Sequence, residues 1–253
     1  MTGLAGLRVV VTRAERQADG LAAAFSAAGA AVELLPLLEV VPPADPRFLE
    51  RAASELALYD WLVFTSANAV EAFLPLAGGA LPHRLRVAAV GPATAESLRA
   101  WEIEPHLLAG VAGRADAEGL LADLAPRVNR RQRVLLPQAA DARPDLLKGL
   151  NAAGAEAIAV VAYDKRLPAD APARAAELFS TLPLGWVTFT SPRIVRHFAE
   201  LFGADWERRQ GELWAASIGP VTSHELRRRG VEPAAEAGEP GDEALVAAVL
   251  GKT

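Results

Sequence analysis

The feature that most constrains the fold of this chain is an internal repeat. An apolar run that ends in Phe-Thr-Ser, followed by a helix-like pattern, occurs at 61–73 (WLVFTSANAVEAF) and again at 186–198 (WVTFTSPRIVRHF). A second pair, 87–105 and 214–233, shares an apolar run, Gly-Pro-x-Thr and a polar helical pattern. A repeat of this kind constrains the fold more than any single motif does.

A third matching pair comes first in each copy. Residues 9–37 and 134–163 both show a short apolar run, an alanine- and leucine-rich stretch, Ala-Ala-Gly-Ala and another apolar run. This order predicts β-α-β, with the glycine closing the helix. Strands that alternate with helices predict a parallel sheet covered by helices on both faces. We therefore predict two similar α/β domains of the Rossmann or flavodoxin-like type.

Composition limits the function classes. The 253 residues are 51% hydrophobic, enough to bury the cores of one large or two small domains. No apolar run approaches the roughly 20 residues that cross a bilayer, and the N-terminus lacks a signal-peptide pattern. Absent cysteine excludes disulfides and thiolate chemistry. The net charge of -5 argues against nucleic-acid binding, and the missing export signal predicts a cytoplasmic protein.

Hydroxyl groups lie where the predicted strands meet their helices. In an open parallel sheet, ligands bind outside the carboxyl ends of the strands. Ser66 and Ser191 are placed to cap helices, with Pro192 at a first helical position. Helix starts suit phosphates and carboxylates. Each corner alone is more typical of an ordinary cap or turn, but matched corners in two domains favour a binding site. The other hydroxyls at this edge are Thr12, Thr65, Thr94 and Thr222.

Other catalytic signatures are absent from the sequence. It contains no GxGxxG, GxxxxGK[ST], HExxH or GxSxG motif, and its histidines lack ligand spacing, so no metal site is predicted. Asp116 and Asp242 are predicted to cap helices. Tyr163 ends a predicted strand, where it could donate a proton or simply be half-buried. Arginines near the corners could bind a carboxylate or form exposed salt bridges: Arg13, Arg143 and Arg193.

The residues alone thus favour a duplicated α/β protein that clamps a polyanionic small molecule, without identifying a reaction. Taken together, the motifs resemble the uroporphyrinogen-III synthase family over nearly the whole chain: VVVTRAE, WLVFTSANAV, VAAVGPATAESL, AGAEAIAVVAYDK, VTFTSPRIV and SIGPVTSHELRRRGVEP. The resemblance implies closure of hydroxymethylbilane to uroporphyrinogen III, with inversion of ring D and loss of water, in haem, sirohaem and cobalamin biosynthesis. It also implies a monomer without metal or organic cofactor.

The family arrangement exchanges segments between the domains. Carried onto this chain, it predicts one domain from 1–38 plus 167–253 and another from 41–163. Extended linkers at 39–40 and 164–166 would join them, with the active site in the interdomain cleft. Two proline-rich stretches fall at these crossings.

The resemblance also suggests residue roles. Tyr163 would help the hydroxyl leave, and Thr94 and Thr222 would donate hydrogen bonds to substrate carboxylates. Ser66 and Ser191 would bind at the neighbouring helix starts. The remaining expected substrate-binding residues are Thr65, Thr12, Arg13, Arg143 and Arg193. One departure is Gln138-Ala139, where many relatives have Arg-Gly. The resemblance therefore implies the loss of a carboxylate contact or of a tight backbone approach there, although Arg143 remains.

The alternatives come from other classes. A protein of this fold could sense a tetrapyrrole or small anion without turnover. A general sugar or nucleotide binder is less favoured because phosphate-binding motifs are missing. The expected partner is hydroxymethylbilane, handed over from hydroxymethylbilane synthase, with neither nucleic acid nor membrane involved.

Overall fold

The computed structural model describes residues 3–79, 81–109, 114, 116–180 and 184–252. By their internal contacts these residues form two compact α/β units. Unit 1 comprises Met1–Glu39 and Arg166–Thr253, and unit 2 comprises Val40–Lys165.

Unit 1 is built on a five-stranded sheet. Its elements are β1 (Arg8–Val11), α1 (Glu15–Ala27), β2 (Ala31–Leu34), α7 (Ala171–Leu178), β9 (Gly185–Phe189), α8 (Pro192–Phe202), α9 (Trp206–Arg209), β10 (Leu213–Ser217), α10 (Pro220–Arg228), β11 (Ala235–Glu236) and α11 (Asp242–Leu250). The strand order is β2-β1-β9-β10-β11, and every one of these pairs is parallel.

Unit 2 is built on a six-stranded sheet that includes β3 (Glu39–Val41) at one edge. Its other elements are α2 (Arg47–Ser54), β4 (Trp61–Phe64), α3 (Ala67–Phe73), β5 (Arg86–Val90), α4 (Gly91–Arg99), β6 (Leu107–Ala109), α5 (Ala117–Leu124), β7 (Arg133–Ala139), α6 (Asp145–Ala152) and β8 (Glu156–Arg166). The order is β3-β8-β7-β4-β5-β6, and the β8-β7-β4-β5-β6 pairs are parallel.

The repeated pieces occupy the same places in both sheets. The first piece supplies β2-β1 in unit 1 and β8-β7 in unit 2, and the other pieces follow in the same order. Gly29 and Gly154 follow the matching helices α1 and α6 with φ of 95° and 98°, values that glycine adopts without a steric penalty. The predicted parallel α/β fold, including glycine as the helix terminator, is confirmed.

Each sheet is buried on both faces. In β4, Leu62 and Phe64 pack against α2 and α3, whereas Trp61 and Val63 pack against α5 and α6. In unit 1, Val187 of β9 belongs to the cluster beneath α7, α8 and α10. Burial on both sides explains why these strands are continuous apolar runs in the sequence.

The helix ends test the predicted caps. Asp116 accepts a hydrogen bond from the backbone N–H of Gly119 at 2.8 Å, and this bond holds the pKa of its carboxyl below the usual value. That cap is confirmed. The cap predicted at Asp242 is wrong, because Gly241 holds the N-cap position and Asp242 lies in the first turn of α11.

No helix within the described residues combines the length and apolar character that a membrane crossing requires.

Aromatic side chains hold α8 onto its sheet. Phe198 is fully buried and packs edge-on against Phe179 and Phe189, with ring centroids 6.0 and 5.3 Å away. Phe202 and Trp206 extend the same cluster. Such ring pairs add to the free energy gained by burying apolar area.

Replacing Phe198 tests this packing. Phe198→Ala should lower the free energy of unfolding by about 3–5 kcal/mol, since it leaves a cavity that the sheet cannot close. Phe48→Ala is the matched control, because Phe48 is 70% exposed, and its effect should stay within about 0.5 kcal/mol. Urea unfolding followed by circular dichroism measures both, and similar losses for the two variants would contradict this assignment of the core.

Candidate functional site

In unit 2, the corner after β4 brings two predicted site residues together. Ser66 has extended backbone angles, and its Oγ accepts a hydrogen bond from the N–H of Ala69 at 3.3 Å, which confirms it as the cap of α3. The same Oγ lies 3.0 Å from Oη of Tyr163. Residues almost 100 positions apart in the chain therefore share one hydrogen bond.

Strand alternation alone would direct Tyr163 away from α3. Along β8, Ile158 and Val160 pack with the cluster that contains α2 and α3, whereas Ala159 packs on the opposite face of the sheet. Successive strand side chains point to opposite faces. By this count, position 163 belongs with Ala159.

A β-bulge returns Tyr163 to the α3 face. Gln138 of β7 pairs with Val161, but the next residue, Ala139, pairs with Tyr163, so Ala162 is an extra residue in the ladder. Ala162 and Tyr163 consequently both pack with the cluster that contains α3. Bulges commonly re-aim a side chain in this way. The register shift explains how the tyrosine reaches Ser66.

A cation accompanies the tyrosine. Nζ of Lys165 lies 5.5 Å from the ring centroid of Tyr163, which is itself 3% exposed. The backbone N–H of Lys165 donates to Oδ1 of Asp164 at 2.7 Å. The sequence reasoning missed Lys165. Its spacing of two from Tyr163, which puts both residues on one face of a strand, was the available signal.

The Gly-Pro-x-Thr corners place one threonine in each unit. Thr94 at the start of α4 and Thr222 at the start of α10 are each 3% exposed. Neither hydroxyl donates to or accepts from another described residue. The fully enclosed side-chain atoms that lack a partner belong to other residues. Both hydroxyls can therefore bond to a ligand.

Buried serines support the corner of unit 1. Oγ of Ser217 accepts from the N–H of Gly219 at 3.1 Å and donates to the same residue's carbonyl at 2.9 Å. Ser223 Oγ donates to Ser217 Oγ at 2.8 Å. The sequence analysis missed this network, which fixes the Gly-Pro turn in front of Thr222.

Other predicted residues of unit 1 are engaged within the protein. Ser191 caps α8, since its Oγ accepts from the N–H of Ile194 at 3.4 Å. Thr12 is fully buried, and its hydroxyl donates to the carbonyl of Thr188, so it links β1 to β9. Arg13 pairs with Asp242, with 2.7 Å between Nη1 and Oδ1. The residue expected to cap a helix instead binds this arginine.

The remaining predicted residues are accessible to solvent. Thr65 beside Ser66 and Arg193 in the first turn of α8 are half-buried, and Arg143 after β7 is exposed. A cavity of about 610 Å³ in unit 2 is lined by other residues, among them Phe48 and Tyr59. The candidate site is therefore the strand-end corners rather than this cavity.

Among the described residues, no three His, Cys, Asp or Glu side chains come together as a metal site would require.

Two matched caps allow the Ser66–Tyr163 bond to be measured. Ser191→Ala should cost about 1 kcal/mol of unfolding free energy, the usual value of a lost cap. Ser66→Ala removes a cap and the bond to Tyr163, so it should cost about 1 kcal/mol more. Urea unfolding checks both. In a Tyr163→Phe background the two losses should become equal, and a difference that persists there would rule out the hydrogen bond as its source.

Comparison with known proteins places the chain in a family. The family model described as "Uroporphyrinogen-III synthase HemD" matches residues 19–247. Uroporphyrinogen-III synthase of Synechococcus elongatus is 34% identical over 236 residues, which cover 87% of this chain and 85% of that one. The putative uroporphyrinogen-III synthase of Methanothermobacter thermautotrophicus is 32% identical over 237 residues, covering 88% and 90%.

Solved structures show the same fold. Uroporphyrinogen-III synthetase from Helicobacter pylori superposes with a TM-score of 0.66 at 19% identity, covering 98% of this chain and 100% of that one. A mutant uroporphyrinogen III synthase from Thermus thermophilus gives 0.62 at 19% identity, covering 97% of each chain. Because the family model and both sequence relatives cover most of the chain, this protein belongs to the uroporphyrinogen-III synthase family.

Proposed function

We propose that this protein closes hydroxymethylbilane to uroporphyrinogen III, with loss of water and inversion of ring D, and that Tyr163 is its proton donor. Family membership supports the reaction. The observation that supports the residue is the 3.0 Å contact between Oη of Tyr163 and Oγ of Ser66, which holds the phenol at a strand-end corner of unit 2.

The chemistry needs little more than a placed proton donor. The electron-rich pyrrole expels its hydroxyl as water once that oxygen is protonated, and a stabilised azafulvene cation remains. Ring closure then has to occur at the substituted pyrrole carbon, which requires the chain to be held in one geometry. A tyrosine together with binding hydroxyls fits this task better than a strong base.

Ser66 holds the phenol oxygen in place and can leave its proton free. Its Oγ already accepts from Ala69, and its own hydrogen can donate to Oη of Tyr163. With the bond in that direction, the Tyr163 hydrogen is available to a ligand, while its oxygen is held in place.

We assign substrate binding first to Thr94 and Thr222, which would donate to carboxylates. Thr65, Ser191, Arg143 and Arg193 would be further contacts. Thr12 and Arg13 have structural roles instead, since each is bonded within the protein. The composition of the two sheets supports the predicted exchange of segments between domains. Monomeric state, handover from hydroxymethylbilane synthase and cytoplasmic location remain predictions.

The product isomer tests the reaction. Hydroxymethylbilane generated in place should give mainly uroporphyrin III after oxidation when this protein is present, because spontaneous closure does not invert ring D. Separation of the isomers by chromatography measures the ratio. Isomer I alone would contradict the synthase assignment and favour a sensing module.

A conservative replacement tests the proton donor. Tyr163→Phe should lower kcat by about 10²-fold, the low end for a lost general acid, while substrate affinity changes little. Tyr59→Phe is the control, because Tyr59 is the other tyrosine of the chain and burial raises the pKa of its phenol. Steady-state kinetics and substrate binding should be measured together. An unchanged kcat in Tyr163→Phe would remove this residue from the mechanism.

A further inference from the structure

A positive charge lies over the ring of the proposed proton donor. Nζ of Lys165 is 5.5 Å from the centroid of Tyr163, within the distance at which an ammonium and an aromatic ring attract each other. The two residues are two apart in β8, so both point to the same face of the strand. The tyrosine thus has Ser66 at its oxygen and Lys165 at its ring.

The internal repeat supplies a comparison within the same chain. When the Ala-Ala-Gly-Ala segments of the two copies are matched, Tyr163 corresponds to Leu38 and Lys165 corresponds to Val40. Phenol and ammonium therefore occur together in one copy and are both replaced in the other. The fold forms in unit 1 without either side chain, so the pair is not a requirement of the fold.

We propose that Lys165 stabilises the negative charge that develops on Tyr163 as the phenol protonates the departing hydroxyl. This inference rests on the proposed function. A positive charge held beside a developing anion lowers the barrier. Tyr163 is buried and Lys165 is half-buried, with its ammonium beside the ring. Lys165 acts as a positioning and electrostatic residue through Tyr163.

The proton and electrons balance within the step. The O–H bond of Tyr163 breaks, and a new O–H bond forms on the hydroxyl oxygen of the substrate. The C–O bond then breaks, its electron pair leaves with water, and the pyrrole carries the positive charge. The phenolate regains a proton from the pyrrole carbon that loses one when ring closure restores aromaticity. No external oxidant, reductant or metal enters this step.

Neutral and cationic replacements separate the charge from the shape of Lys165. Lys165→Gln should lower kcat about 10-fold with KM within about twofold, because the charge acts on the transition state rather than on binding. Lys165→Arg should restore most of the rate. Lys148→Gln, which removes an exposed lysine from α6, is the control and should leave kcat unchanged.

A double-mutant cycle tests whether Lys165 acts through Tyr163. In a Tyr163→Phe background, Lys165→Gln should change kcat less than twofold, since no phenolate forms there. A full 10-fold loss in that background, or a rise in KM instead of a fall in kcat, would overturn the proposal and make Lys165 a direct substrate contact. Thermal unfolding of each variant controls for folding.

The two levels of inference fail in different ways. If the wild-type protein forms isomer III but Lys165→Gln is as fast as wild type, the role of Lys165 is wrong and the proposed function stands. If the wild-type protein yields only isomer I, both are overturned.

Discussion

Parallel pairing of strands buried on both faces is the constraint on which this structure depends. Parallel strands need a crossover helix between them. The strands of a unit therefore end at one edge of its sheet, and the crossover helices begin at that edge. Ser66 and Thr94 follow the ends of β4 and β5, whereas Tyr163 lies within β8 opposite Ala139, the last residue of β7. The prediction that Tyr163 ends its strand is wrong, because β8 continues to Arg166. The packing of the sheet thus brings together, at one edge, side chains that are distant in sequence. A binding or catalytic site can form there when a few of these side chains are polar.

The repeat made the fold predictable. Because the same order of strands and helices occurs twice in the sequence, few sheet topologies are compatible with it. Local rules also predicted the caps at Ser66, Ser191 and Asp116, because a cap depends on neighbours within three residues. The same rule failed at Asp242, where the carboxylate is held by Arg13, more than 200 residues away in the sequence. Ion pairs of that separation leave no local signal.

The contact between Tyr163 and Ser66 was beyond prediction for a different reason. Both residues were candidates, but the face on which Tyr163 lies depends on a register shift against β7. A bulge is a property of two paired strands rather than of either sequence. Lys165 was overlooked as well, although its spacing of two from Tyr163 places both side chains on the same face of β8. Thr12 is the opposite case. Its hydroxyl lies at the edge where ligands are expected, but the residue is fully buried and the hydroxyl bonds to the neighbouring strand.

The bulge also affects how roles can be transferred between the two copies of the repeat. The copies run in constant register through their Ala-Ala-Gly-Ala segments, so Leu37 matches Ala162 and Leu38 matches Tyr163. Leu37 and Leu38 pack with one cluster in unit 1, as Ala162 and Tyr163 pack with one cluster in unit 2. Adjacent strand residues ordinarily face opposite sides of a sheet. A role transferred by strand alternation alone would therefore be assigned to the wrong surface at this position.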